Sequence, residues 1–418
     1  MAGTFVDVLG DRAVASAGLA FEFVDRDGTV LDSIGYPDLA RRARTIAAGL
    51  TSRGLAGQRI LLSLPPGLPY VTALFGCLYA GAVAVPLPPG SAHRRAVVAD
   101  SAPAAAIVSG PVDLDVPVLS AADLEGDPRS WRRPDIGPDT LALVQYQGGS
   151  DAHGVMVTHA NLVASAEQIE RHFGATEYTG VVSWLPPYHD MGLLGGILQP
   201  VYTGSRAVLL SPEAGLATWL RLVTEMRARI GYAPRQGYEE VPSDRELAGI
   251  DLSTLDVAVT DASALSSDGF ADRLAPYGFR RSALFPCYWL PEATALVAGR
   301  PAAVATTFDV DSLSPGRPAR QAPGTPVLDL GTAAADLDIA IVDPLTSTRC
   351  PDGTAGEIWV SGPNVAVGYL GRPAASERRF CARLRGSTEN YLRTNDFGFI
   401  HRGGLHVTEP KDALLTAL

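Results

Sequence analysis

With 418 residues the chain exceeds what one small core needs, so two or three subdomains are expected. Its 46% hydrophobic and 19% charged residues and a mean hydropathy of +0.11 are ordinary for a soluble globular protein. The net charge of −11 argues against nucleic acid as a partner, since phosphate backbones require basic stripes.

In chain order, residues 36–55 (YPDLARRARTIAAGLTSRGL) space Leu, Ala and Ile at helical intervals and end at a Gly-containing break, which predicts a helix. RILLSLPPG at 59–67 predicts a buried strand closed by a turn, and YVTALFGCLYAGAVAVPLPPG at 70–90 repeats helix, glycine, strand and turn. Further short apolar runs follow at 104–110, 141–146, 181–187, 206–212, 255–261 and 283–289, most of them separated by helical stretches. Strands alternating with helices predict parallel sheets in an α/β fold. The Pro-, Gly- and Ala-rich stretch 301–326 reads as a long loop. Beyond it LDIAIVDP, GEIWVSG and GLHVTEP are β-like runs without long helices between them, which predicts a small β-rich subdomain. No repeat of fixed period is evident.

Between LALV and MVTHANLVASAEQIERHF lies QYQGGSDAHGV, residues 145–155. Read as a small-residue loop from a strand into a helix, it has the form of a phosphate cradle, because backbone N–H groups and a positive helix end both favour anions. Such loops carry a lysine, and here His153 stands in its place. Lys411 is the one lysine of the chain, so any chemistry needing a buried lysine has a single candidate. Cys77, Cys287, Cys350 and Cys381 form no C-x-x-C pair and no metal spacing, which suits a reducing compartment. The N-terminus lacks a basic region followed by an apolar run, and no apolar stretch reaches the roughly 18–20 residues of a membrane helix. A cytoplasmic protein without a membrane span is expected.

The runs VVSWLPPYHDMGLLGGILQPVYTGSRAVLLSP (181–212), GCLYAGAVAVPLPPG (76–90), CYWLPEAT (287–294), 341–373 and YLRTNDFGFIHRGGLHVTEPKD (391–412) resemble the fatty acyl-AMP ligases, a branch of the acyl-adenylate-forming superfamily. The likeness extends in order from near the N-terminus to about residue 412. It implies the N-terminal part of an adenylate-forming enzyme: an α/β fold with two mixed or parallel sheets flanked by helices, plus a small β-rich subdomain. The expected divisions are 1–170, 171–310 and 311–418, the last ending at a hinge, with the family's mobile C-terminal domain absent. Such ligases activate a fatty acid with ATP and Mg²⁺ and pass the acyl group to a carrier-protein thiol.

Carried over by residue, the resemblance divides the positions into two sets. Tyr188, His189 and Asp190 match a Tyr-His-Asp run whose histidine lies beside the reacting carboxylate, and Gly192 to Gly196 match a glycine-rich segment along an acyl tunnel. Glu292 and Thr294 match a Glu-Ala-Thr segment whose glutamate helps hold Mg²⁺, and Asp396 matches the aspartate that bonds the ribose hydroxyls. The nucleotide side departs. The loop Tyr146–Gly154 keeps Gly149 and Ser150 but is shorter and lacks the lysine. Asp261 stands where a glycine admits adenine, Trp289 replaces the glycine after Tyr288, Asn395 replaces one beside Asp396, and Glu409-Pro410 lies near the place of the hinge arginine. Losing one preorganised stabiliser of transition-state charge costs on the order of 10²–10³ in rate.

These departures lead to the expectation of a degenerate ATP site, with Asp261 and Trp289 obstructing it and no cofactor. The chain would then act on an acyl group, free or carrier-bound, by ATP-independent transfer, condensation or cyclisation, with His189 as general base. Ser150 beside Gly149 invites a nucleophile reading with His189 or His153 as base, although the G-x-S-x-G elbow is not met. The alternatives are a genuine acyl-AMP ligase using ATP and Mg²⁺, the latter on Glu292, with its C-terminal domain elsewhere, or a non-catalytic carrier-protein partner.

Overall fold

The structure is a computed structural model that describes residues 3–120, 124–146, 153–240, 242–261 and 268–408, the side chains of 261 and 268 excepted. Two large sheets and two small ones organise it. The eight-stranded sheet runs, in spatial order, Ala295–Gly299, Leu284–Leu290, Val257–Asp261, Ile230–Tyr232, Val181–Ser183, Ala207–Leu210, Leu19–Val24 and Val30–Gly35. Its inner pairings are parallel and its two outermost ones antiparallel. The inner strands read as continuous apolar runs because helices cover them, as in parallel sheets generally.

The seven-stranded sheet runs Gly368–Tyr369, Val155–Thr158, Leu141–Gln145, Val83–Pro86, Arg59–Ser63, Ala105–Val108 and Val118–Ser120. Sheet membership crosses the expected divisions: the first sheet takes its last two strands from residues 19–35, and the second takes an edge strand from residues 368–369. A five-stranded antiparallel sheet, Thr348–Arg349, Asp338–Asp343, Gly356–Ser361, Leu392–His401 and Gly404–Thr408, is the β-rich part.

Two expectations are corrected. The stretch 301–326 is not only loop: Ala305–Phe308 pairs antiparallel with Thr325–Leu328, the β-branched Thr306 and Thr307 preceding a fully buried Phe308. The segment after the glycine loop does not enter a helix directly. Val155–Thr158 is a strand antiparallel to Leu141–Gln145, so the loop joins two strands, and the helix begins only at His159. Valines at 155 and 157 are buried against the neighbouring strands, which a helical turn would not achieve. Thr158 caps the helix in a reciprocal box with Asn161, so its first N–H groups are already spent locally rather than on a loop-bound anion.

That helix, His159–Phe173, fastens the parts together. Ser165 Oγ donates to the Thr294 carbonyl at 2.8 Å, and the Asn161 amide donates to the carbonyls of Pro363 and Val365, each at 2.9 Å. One apolar core runs on both sides of it, from Phe5, Tyr36 and Phe75 through Leu162 and Leu198 to Tyr232, Val297 and Ile358. Gly76 and Ile46 show how tightly the helices meet: a Cβ on Gly76 would stand 2.3 Å from the Ile46 side chain.

Candidate active site

Tyr288 lies in the strand Leu284–Leu290 of the large sheet, and Glu292 follows in the single turn Pro291–Ala293. Asp396 comes from the β-rich sheet, where the pairing of Gly356–Ser361 with Leu392–His401 slips between Glu357 and Trp359. The slip is a bulge, the usual device for re-aiming a side chain. Asn395 sits within it at φ 60°, a left-handed conformation that Asn tolerates better than other non-glycine residues. The result is a hydrogen bond of 2.5 Å from the Tyr288 hydroxyl to Asp396 Oδ2.

Glu292 has a counterpart arrangement. Tyr369, at the end of the edge strand Gly368–Tyr369, donates its hydroxyl to Glu292 Oε1 at 2.8 Å. The His153 ring lies against Tyr369, centroids 5.1 Å apart, and Leu370 N–H donates to the Gly154 carbonyl at 2.8 Å. The C-terminal end of the glycine loop is thereby brought beside Glu292 through Tyr369. Burial and the Glu292 carboxylate push the Tyr369 phenol up to about 12, so it stays a donor. Burial and the Asp396 carboxylate likewise push Tyr288 well up. Asp396 is itself raised by burial, against the opposing pull of the Tyr288 bond and of Arg379.

Arg379 is the residue that motif reading missed. It lies in the last turn of helix Pro373–Phe380, with its side chain 17% exposed and Nη2 3.9 Å from Glu292 Oε1. Nη2 donates to the Thr394 carbonyl at 2.7 Å. One signal was available: SERRF puts two arginines in the final turn of a short helix, although that pattern ordinarily marks nothing beyond the helix dipole.

The other expected positions are placed as follows. His189 caps the short helix Asp190–Leu193, with Nδ1 2.8 Å from Asp190 Oδ1. Asp190 Oδ1 also takes the Met191 N–H at 2.8 Å, shorter than the 3.3 Å contact of that N–H with Nδ1. Nδ1 can accept the Met191 N–H or donate to Asp190 Oδ1 but not both, and the side chain is 60% exposed. Trp289 is half-buried against the main core, and its indole N–H has no partner among the described residues. Tyr146 turns away to Asp100, which its hydroxyl meets at 2.7 Å and Arg372 at 2.9 Å. Cys287 is buried and donates to the Thr260 carbonyl, a packing role. Gly149, Ser150, Lys411 and the side chain of Asp261 lie outside the described residues. Among the described residues no group of three or more His, Cys, Asp or Glu could hold a metal ion, and no helix is long and apolar enough to cross a membrane.

Residues 20–370 match the AMP-binding enzymes. The chain belongs to that family. Among AMP-binding enzymes it is similar to a medium-chain-fatty-acid–[acyl-carrier-protein] ligase of Moorena producens, 32% identical with 97% of this chain and 76% of the relative covered. It is also similar to a 4-hydroxyphenylalkanoate adenylyltransferase of Mycobacterium marinum, 36% identical over 95% of this chain and 72% of the relative. The fold superposes on that of a Legionella pneumophila fatty acyl-adenylate ligase solved with acyl adenylate and pyrophosphate, with a TM-score of 0.89, 31% identity, and 99% and 78% of the two chains covered. The α/β architecture expected from the resemblance is thus the one found.

The site can be compared with what a family nucleotide needs. Asp396 presents a half-buried carboxylate able to accept two hydroxyl donors, and Thr294 Oγ1 and two Arg379 nitrogens are buried donors without partners among the described residues. These fit a ribose and a phosphate. Glu292 fits a divalent metal poorly at Oε1, which already receives a phenol and faces a guanidinium.

Proposed function

We propose that the chain forms acyl adenylates: it activates a carboxylic acid with ATP, releasing pyrophosphate, for later transfer to a thiol acceptor. This is the alternative of the sequence analysis, and it displaces ATP-independent acyl transfer as the preferred reading. The observation that carries it is the meeting of Tyr288 and Asp396 at 2.5 Å across two sheets, beside Glu292 and Arg379. On this reading the convergence offers an acceptor for ribose hydroxyls and a cation for phosphate, within a fold whose relatives are ligases and adenylyltransferases.

In this reading Asp396 orients the sugar, His189 lies beside the carboxylate nucleophile, and Arg379 meets phosphate charge. ATP, with the metal it carries in solution, supplies the leaving pyrophosphate. The substrate is a fatty or hydroxyphenylalkanoic acid, the classes that the relatives' names state, and the acceptor is a carrier protein. The glycine loop would contribute backbone N–H groups in place of a lysine.

ATP–pyrophosphate exchange measured with a panel of linear and hydroxyphenyl acids tests the proposal. Exchange that depends on the acid and falls about 10²-fold or more in Asp396→Ala is expected. A well-folded protein that neither exchanges pyrophosphate nor binds ATP would return preference to ATP-independent acyl chemistry.

A further inference from the structure

The Arg379 guanidinium is mostly buried; its Nη2 donates to a backbone carbonyl at 2.7 Å, and its side chain also bonds the Tyr369 hydroxyl. Nε and Nη1 are buried and make no hydrogen bond among the described residues. A desolvated cation with idle donors is costly, and such groups in folded proteins call for an explanation. The approach to Glu292, 3.9 Å, is too long for a hydrogen bond, so this contact tethers the guanidinium weakly.

The charges around Arg379 can be counted. Glu357, nearby in the β-rich sheet, is matched by the fork of Arg393, with contacts of 2.7 to 3.2 Å. Glu292 and Asp396 remain, both facing Arg379, which stabilises the charge of Asp396 and also acts on Tyr288 and Tyr369. Two carboxylates against one guanidinium leave the site negative before any phosphate arrives. A metal on Glu292 would relieve this, but it would have to bind oxygen at about 2.0–2.1 Å if it were Mg²⁺. At Oε1 it would compete with the Tyr369 hydroxyl and sit against an arginine of like charge.

We propose that Arg379 is the phosphate-binding cation of this site, taking at Glu292 the place of a divalent metal. The proposal rests on the adenylation reading and adds a residue that lies outside the segments carrying the family resemblance. Glu292 becomes a positioning residue that parks the guanidinium until phosphate oxygens engage the idle donors. Arginine suits the task because its planar fork pairs with phosphate in bidentate fashion and never loses its charge.

Isothermal titration with ATP, in EDTA and in Mg²⁺, tests this on the wild-type chain, Arg379→Gln and Arg379→Lys. Glutamine keeps a donor for the Thr394 carbonyl, and thermal melts report whether each variant folds. Wild type is expected to bind ATP in EDTA within about threefold of its affinity in Mg²⁺. Arg379→Gln should bind about 10- to 100-fold more weakly in EDTA and recover part of this with Mg²⁺. Arg379→Lys, which retains charge without the fork, should fall between them, and it decides the matter if the glutamine variant fails to fold. Wild type that binds ATP only in Mg²⁺, with Arg379→Gln indistinguishable from it, overturns the role of Arg379 and leaves adenylation standing. Absence of ATP binding in both buffers overturns both.

Discussion

Replacing Asp396 by asparagine should separate binding from stability in opposite directions. Asparagine is nearly isosteric and still accepts the Tyr288 hydroxyl, so the 2.5 Å contact and the Asp396 N–H bond to Thr394 Oγ1 at 3.1 Å can persist. What is lost is one anionic acceptor oxygen for the proposed ribose contact. A charge-assisted hydrogen bond contributes about 1.5–3 kcal/mol, so AMP affinity should fall about 10- to 150-fold. Stability should move the other way. Burial holds the Asp396 carboxyl above its ordinary value of 3.8, so folding disfavours the charged form. That penalty is complete at pH above the folded value and disappears at pH below the unfolded one. The substituted amide carries no such charge, so the variant should be the more stable protein at pH 7, with the difference closing as pH falls towards 4. Titration calorimetry with AMP and urea unfolding at pH 7, 5 and 4 measure both quantities. A variant that binds AMP as tightly as wild type would refute the ribose assignment, and one that is less stable at pH 7 would refute the burial argument.

Other substitutions test the frame around the site. Gly195→Ala should lower stability by about 1–3 kcal/mol, because its Cβ would stand 2.4 Å from the fully buried Tyr232 ring; an unchanged urea midpoint contradicts that close approach. Arg393→Met strands Glu357, whose side chain is 2% exposed, and should cost about 3–5 kcal/mol. Adding Glu357→Gln should restore much of that loss in a double-mutant cycle. His159 is buried and held down to about 4, so its neutral form favours the fold. Stability should therefore be full above pH 6.5 and decline as pH falls from there to 4, by roughly 3 kcal/mol at most. Unfolding curves of His159→Gln that keep the wild-type slope over this interval would show that another group is responsible.

How far the sequence disclosed these features depended on whether each signal was local. Tyr288, Glu292 and Asp396 sit in short segments whose residue order alone carries the likeness, and the structure brings all three to one place. The glycine loop misled because Met156 and Val157 run without a break into a strongly helical pattern. The boundary was nevertheless written in Thr158 and Asn161, a capping pair three residues apart that marks where a helix starts rather than its second turn. Arg379 was not legible in this way. Its significance depends on an edge strand at Gly368–Tyr369 crossing to the seven-stranded sheet, on a bulge that turns Asp396, and on a turn that presents Glu292. None of these long-range pairings has a periodicity in the chain. On the role proposed for Arg379, the loss of cationic positions seen by aligning motifs is only half of the balance. A site can recover a positive charge from any element that packs against it, and a residue that no motif includes is found only when the buried donors are counted.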